Sequence, residues 1–389
     1  MRSTRLKRAG SFLCVATLLL ALMPLTAGAL TMDEQVDQLF RRGKTTGGSL
    51  VIVMHGQIVY ARDYGYKQLS RREPVDERTY FRLSSVTKLI SGVGAMQLVE
   101  RGLLDLDQDI SAYFGYEIKN PYYPNIPLTL RQAMSHTLSV SEGGGYSGIR
   151  NTVRDMLDYS LKRRGNFLDQ KPGDKYVYSN FGAGLVGAMM EAASGQSVNS
   201  YMRDNVFGPL GIDASYSASL LLDPQDVSGQ YTNGKLYRAA SNYINETYED
   251  FADPERHYRT TVGDIWIRSR DLAKIAALLC GDGSFGDVRI LQPESVQAMR
   301  TAQNTLGQSV TGESPYGLFM ERNTFILPGR TVYGHQGMSK AAIPNLYTVP
   351  ESGFAMVITT NGSSLVRDHR VGVMALNMMR TLFPLFADQ

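Results

Sequence analysis

The chain has 389 residues, 43% of them hydrophobic and 20% charged, with 40 Lys and Arg against 37 Asp and Glu for a formal +3. Four of those cations and no anions lie in residues 1–29, so the remainder carries −1 and offers no electrostatic case for nucleic-acid binding. Cys14 lies in the same segment, which leaves Cys280 alone and excludes an internal disulfide or a cysteine-based metal site in residues 30–389.

Arg2, Arg5, Lys7 and Arg8 head the chain, an apolar run follows over residues 12–25, and Ala27-Gly28-Ala29 closes it with small residues. This pattern predicts a secretory leader cleaved after Ala29, a run too short to be a stable membrane anchor. Cys14 sits near the start of that run behind Phe12-Leu13, not behind the small residues that precede a lipid-modified cysteine. The remaining 360 residues are too many for one ordinary core and predict two lobes.

A first helix is expected over residues 32–42, then strands over 49–54 and 57–63 joined by a His55-Gly56 turn. A helical pattern runs from Ser85 to Arg101 and ends at Gly102, with Ser84 and Ser85 both suited to cap it. Helical signals follow over 130–135, 153–163, 182–193 and 200–206. Strand signals return over 288–291, 331–335, 345–348 and 354–360, and an apolar helix over 371–386 closes the chain. That last helix lacks a basic face, so packing against a sheet is expected instead of a membrane surface. Cys280 follows an apolar stretch and is expected to be a buried thiol. Strands at both ends with helices between them imply one sheet built from the two termini and an inserted helical lobe. The expected bounds are about 30–84 and 255–389 for the sheet lobe and 85–254 for the helical one, with a site in the cleft between them.

Several hydrolytic signatures are absent. No G-x-S-x-G elbow occurs, and the five histidines show no zinc-ligand spacing. Gly143-Gly144-Gly145 lacks the lysine and hydroxyl residue of a phosphate loop and reads as a lid or turn. No metal or cofactor is expected.

What remains is Ser85-Val86-Thr87-Lys88. Positions i and i+3 share a helix face, which sets an amine over a hydroxyl that needs a base. Burial at the positive end of a helix lowers a lysine pKa, and the backbone N–H of Ser85 is available as half an oxyanion hole. Serine and lysine are common enough for chance to supply one such spacing. Two further motifs carry the reading. Tyr178-Ser179-Asn180 follows a Lys171-Pro172-Gly173 turn and offers a phenol to relay protons and an amide to orient a carbonyl. Tyr333-Gly334-His335-Gln336-Gly337 lies on an expected strand.

In this order and at these separations the three motifs resemble those of the β-lactamase-related serine hydrolases. That family holds class C β-lactamases, D,D-carboxypeptidases (penicillin-binding proteins), D-aminopeptidases and related esterases. Residues 98–107, 129–137, 171–180, 208–211 and 268–275 are also similar to familial stretches, so the resemblance spans nearly all of residues 30–389. It implies an α/β fold (α+β type) of the β-lactamase/transpeptidase kind and a two-step acyl-enzyme mechanism without cofactor. Ser85 would be acylated, Lys88 and Tyr178 would share the acid–base work, and Asn180 would contact substrate. His335, Gln336, Gly337 and Met338 would line the substrate groove, with the Met338 N–H completing the oxyanion hole.

The third motif departs from the Lys-Thr-Gly usual in class C enzymes. His335 replaces the permanent cation, while Gln336 and Met338 would narrow the groove. If His335 held a substrate carboxylate, the Michaelis constant would rise as pH climbs through about 6 to 7. The departure fits the peptidase and esterase branch better than an efficient β-lactamase, and the expected export makes a D-amino-acid peptidase acting on small-molecule or cell-wall-derived peptides the leading reading. Two enzymatic alternatives are a broad carboxylesterase and a weak β-lactamase. A non-catalytic cell-wall or β-lactam sensor is the alternative of another class.

Overall fold

The computed structural model describes residues 30–143, 146, 152–157, 166–303 and 316–387. The leader expected over residues 1–29 with Cys14, Gly144-Gly145 and the second half of the helix expected over 153–163 lie outside the described residues; residues 153–157 are helical.

The chain opens with α1, Met32–Arg42, held by a capping box in which Thr31 and Glu34 satisfy each other's backbone donors. Strands β1 (Gly47–Met54) and β2 (Gln57–Gln68) form the expected hairpin, followed by the short β3 (Glu73–Pro74) and β4 (Tyr80–Arg82). Helix α2 (Val86–Glu100) comes next and is buried continuously from Val86 to Leu98, as a helix at the centre of a large core must be. After α3 (Asn180–Ser194) come β5 (Ala214–Ser215) and β6 (Trp266–Arg268). Helix α4 (Ser269–Cys280) follows. Strands β7 (Glu321–Asn323), β8 (Val332–Gln336), β9 (Asn345–Val349) and β10 (Phe354–Thr360) precede the final helix α5, Val373–Ala387.

Seven strands form one antiparallel sheet in the order β7-β8-β9-β10-β1-β2-β3, which joins the two ends of the chain through the β1–β10 pairing. The period of two along β1 divides the core. Leu50 and Ile52 pack with Val36 and Phe40 of α1 and with Met378 and Leu382 of α5. Val51 and Val53 join the larger core that includes Leu89 and Val93 of α2 and Leu272, Ile275 and Leu279 of α4. The final helix thus covers the sheet, and no helix among the described residues is long and apolar enough to cross a membrane. Strands β4, β6 and β5 form a separate small sheet that ties the segment before α2 to the segment before α4.

Two expectations change. The strand signal at 288–291 forms only a two-residue ribbon with Ser284–Phe285, outside the main sheet. The helix α4 was read only as an apolar stretch, yet it fills the sheet face opposite the terminal helices, and Cys280 at its end is buried with its thiol pushed up to about 11.

Helix α3 packs backbone to backbone against the segment entering the helical turn Thr260–Gly263. A Cβ on Gly184 would stand 1.6 Å from the Tyr258 carbonyl oxygen, so only glycine permits this approach. Replacing Gly184 by alanine is expected to destabilise the protein by at least about 2 kcal/mol through overpacking, read as a lower melting temperature in calorimetry. An unchanged melting temperature would show that the segment yields freely.

Candidate active site

Strand β4 ends at Arg82, and the Leu83 N–H donates to the Ile265 carbonyl at 2.9 Å, fixing the chain just before the serines. Ser84 then turns sharply at φ 47°, a left-handed value uncommon for a residue with a side chain. Ser85 is the N-cap of α2 but makes no side-chain capping bond, so its hydroxyl is not spent on its own helix. Bonds from the Val86, Thr87 and Lys88 amides to carbonyls three residues back close the first turn and leave the Ser85 N–H outside that set. On the other side, a Cβ at Gly337 would meet the Leu83 carbonyl oxygen at 2.3 Å. Glycine there lets the chain beyond β8 pass against the nucleophile turn.

Ser85 Oγ has two partners. Lys88 Nζ donates to it at 3.1 Å and Tyr178 OH at 2.9 Å. Lys88 is fully buried, and its Nζ also donates to the Val262 carbonyl at 2.8 Å. Desolvation brings its pKa down to about 7, with Glu142 and Asp264 opposing the shift. Tyr178 moves the other way: burial disfavours its phenolate and raises its pKa, so it stays protonated. Its ring also lies 5.1 Å from Lys88 Nζ. Ser179 caps α3 by accepting the Gly182 N–H at 2.9 Å, which places Asn180 on the first turn, beside Ser85 in the cleft wall.

The third motif divides by the pleat of β8. His335 is 1% exposed; its Nδ1 donates to the Gln336 carbonyl at 2.7 Å and lies 3.9 Å from Glu321 Oε1. Burial first, then the field of Lys88, lowers its pKa to about 3, so it is a neutral imidazole. Burial likewise pushes Glu321 up to about 8. The neutral state expected of histidine at this position is deepened by desolvation, and the conditional carboxylate-holding role lacks the charge it would need. Gln336 is also corrected. Its Nε2 donates to the Arg370 carbonyl at 2.5 Å and its Oε1 accepts the Gly372 N–H at 3.0 Å, so it ties β8 to the segment before α5 and does not narrow the groove. Met338, 48% exposed, does line the cleft.

The cleft at Ser85 has a volume of about 330 Å³. Arg82, Asn180, Val262, Gly263 and Lys340 contribute to its wall, while Lys88, Tyr178 and His335 lie behind it. Sequence reasoning had no role for Arg82, for Val262, or for His136. The His136 ring lies tilted against that of Tyr178 with centroids 4.3 Å apart, its carbonyl accepts the Val177 N–H at 2.8 Å, and its Nδ1 accepts the Ser179 N–H at 3.3 Å. His136 therefore fixes the Tyr178 loop from beneath. Its only advance signal was its place in the familial stretch 129–137.

Protein flp of Staphylococcus aureus (strain N315) is 24% identical over 180 residues, 46% of this chain and 36% of that protein, so the match spans little more than a third of the relative's length. The octameric penicillin-binding protein homologue from Pyrococcus abyssi superposes with a TM-score of 0.70 at 22% identity, over 90% of this chain and 75% of that one. The D-amino acid amidase from Ochrobactrum anthropi SV3 superposes with a TM-score of 0.68 at 20% identity, over 89% and 95% respectively. At these identities the two structures establish a shared β-lactamase/transpeptidase-like fold. A family model described as Beta-lactamase matches residues 32–376, and the chain belongs to that family of serine hydrolases.

Proposed function

We propose that the protein is a secreted serine acyl hydrolase that cleaves amide bonds of D-amino-acid peptides through an acyl-enzyme on Ser85. The observation that carries the reading is the pair of contacts on one hydroxyl, Lys88 Nζ at 3.1 Å and Tyr178 OH at 2.9 Å, at the wall of an open cleft. The basic-apolar-small pattern of residues 1–29 supports export, and export brings cell-wall peptides within reach.

In the acylation step Ser85 Oγ attacks the carbonyl carbon while its proton passes to neutral Lys88, the group whose lowered pKa suits a base near pH 7. The oxygen charge that develops is held by the N–H groups of Ser85 and Met338. Collapse breaks the carbon–nitrogen bond. Tyr178 hands its proton to the departing amine and is reprotonated from the Lys88 ammonium. Water then attacks the acyl carbon by the same route, releasing a carboxylic acid and restoring the serine. Asn180 orients the substrate carbonyl. His335, as a neutral imidazole, acts by shape and hydrogen bonding. Gly337 keeps the strand end close to the nucleophile turn. The exposed Met338 side chain with Tyr237 at the rim favours a second reading, hydrolysis of small aryl or alkyl esters by the same acyl-enzyme.

Intact-mass analysis should show one adduct after treatment with a fluorophosphonate and none in Ser85→Ala. An adduct that survives the substitution would move the nucleophile, with Ser84 next in line. Peptides ending in D-Ala-D-Ala should be turned over; hydrolysis of p-nitrophenyl acetate alone would select the esterase reading. Tyr178→Phe should lower kcat by about 10²–10⁴, the usual weight of a positioned acid–base group.

The pH profile follows from the lowered Lys88 pKa. The reactive form is the neutral amine, so kcat/KM should climb about tenfold per pH unit below 7 and level off above it. A profile without a limb near 7 would remove Lys88 as the base. For a carboxylate-bearing substrate, KM should stay flat between pH 5 and 8, because His335 does not titrate there. A KM that rises through pH 6 to 7 would restore a cationic His335.

A further inference from the structure

The cleft at Ser85 does not end at its own wall. Arg82 belongs both to that wall and to the wall of a larger cavity of about 610 Å³. The two voids therefore meet at one guanidinium, three residues before the nucleophile. Among the described residues, the lining of the smaller cleft contains two cations, Arg82 and Lys340, and no carboxylate. In the larger cavity Tyr243 carries a guanidinium near its ring on two sides, Arg238 at 4.1 Å and Arg82 at 6.0 Å from the centroid. Asp264 and Glu246 each take one Nη2 donor from Arg82 and Arg238 respectively. A guanidinium has five N–H donors in a planar fork, so one such bond leaves Nε and Nη1 of Arg82 for a further acceptor. The remaining wall includes Arg256, Arg259, Glu249, Tyr216 and Trp266, a mixture of both charges and aromatic surface unsuited to a purely aliphatic chain.

Building on the reading of Ser85 as nucleophile, we propose that the cavity beyond Arg82 is a subsite for the acyl arm of the substrate and selects arms that carry a carboxylate, which Arg82 receives. The side follows from the proton path. The leaving group must depart beside its proton donor, Tyr178. Lys88 also bonds the Val262 carbonyl, and the residues that continue from Val262, Gly263 and Asp264, lead to the Arg82 junction. The arm that stays on Ser85 has that side to occupy. The substrate class is thus an acyl-D-alanyl peptide with a second, internal carboxylate, as a peptide containing a free side-chain or α-carboxyl would present.

The test uses two peptides matched in length, N-glutaryl-D-Ala-D-Ala and N-pentanoyl-D-Ala-D-Ala, and measures their binding to Ser85→Ala by titration calorimetry. Both have the terminal carboxylate, so their difference reports on the acyl arm alone. The glutaryl peptide should bind at least about tenfold more tightly, the worth of one charge-assisted contact. Adding Arg82→Gln should bring the two to parity, and Arg82→Lys should restore part of the difference. Because Arg82→Gln leaves Asp264 without its partner, the double change Arg82→Gln with Asp264→Asn should give the same parity without an orphaned carboxylate. Equal binding of the two peptides to Ser85→Ala overturns the proposal, as does an equal loss of both on Arg82→Gln, which would assign Arg82 to the terminal carboxylate. Parity produced by Lys340→Gln and not by Arg82→Gln would transfer the role to Lys340. These readings need no turnover, so they are separate from the fluorophosphonate result on Ser85: the nucleophile could fail while the anion subsite stands, and the reverse.

Discussion

A primary amine held out of water beside a hydroxyl is the constraint around which the rest of the molecule is arranged. Burying an ammonium ion costs several kcal/mol. The two hydrogen bonds of Lys88, to Ser85 and to Val262, return about 1 kcal/mol each. The neutral form therefore becomes substantially populated near pH 7, and neutrality is what a base needs. Keeping the amine dry requires α2 to be surrounded on every side, which is why that helix has no solvent face from Val86 to Leu98. Keeping it aimed requires the Val262 carbonyl to stay where it is. Val262 sits on the turn against which α3 packs through Gly184 and Gly187, where added Cβ atoms would meet Tyr258 and Thr261. The glycines of α3 and the lysine of α2 thus serve one end.

The same desolvation explains the third motif. His335 lies in the same buried region and feels both the low polarity and the field of Lys88, each of which opposes a second positive charge. Its proton is held on Nδ1 by the Gln336 carbonyl, and the carboxyl of Glu321 beside it is kept protonated by burial. The histidine, glutamate and tyrosine under the nucleophile are therefore uncharged at neutral pH, and the lysine among them is close to its own titration point. Fixed positive charge is displaced to the wall, onto Arg82 and Lys340, where partial solvation makes it affordable. A site arranged this way can separate its two tasks: acid–base chemistry by the buried groups, and recognition by the cations of the wall.

What was legible in the sequence follows the range of the interactions. Helix α1 and strand β10 fall on their expected bounds, because capping and an unbroken apolar run are local signals. Ser85 and Lys88 were legible as an i, i+3 pair on a helix. Tyr178 lies 93 residues from Ser85, and only the familial order of motifs suggested that the two meet. Val262, 174 residues from Lys88, contributes a carbonyl, which no residue type announces. Arg82 looked like part of the approach to a helix because its significance depends on two cavities. Gln336 was misplaced for a simpler reason: consecutive strand residues point to opposite faces, so a His335 on the nucleophile's side of β8 already required Gln336 to face the other way. Helix α4 is buried along most of its length, and its run over 272–279 could equally have been a buried strand.

Local rules are broken where the chemistry is proposed to lie. Ser85 occupies an N-cap position, where its hydroxyl would ordinarily add about 1 kcal/mol by bonding the helix backbone, and it makes no such bond. Ser84 beside it adopts a left-handed backbone without being glycine, a conformation that costs of order 1–3 kcal/mol. Neither feature helps α2 to fold. Both are tolerated because the Leu83–Ile265 bond, the β4–β6 pairing and the close pass of Gly337 hold the turn from three directions. The strain and the missing cap have a common geometric result, a hydroxyl turned from its own helix toward Lys88 and Tyr178. Relaxing either feature would strengthen the helix and withdraw the oxygen from its partners, so local stability and proposed reactivity oppose each other at this single residue.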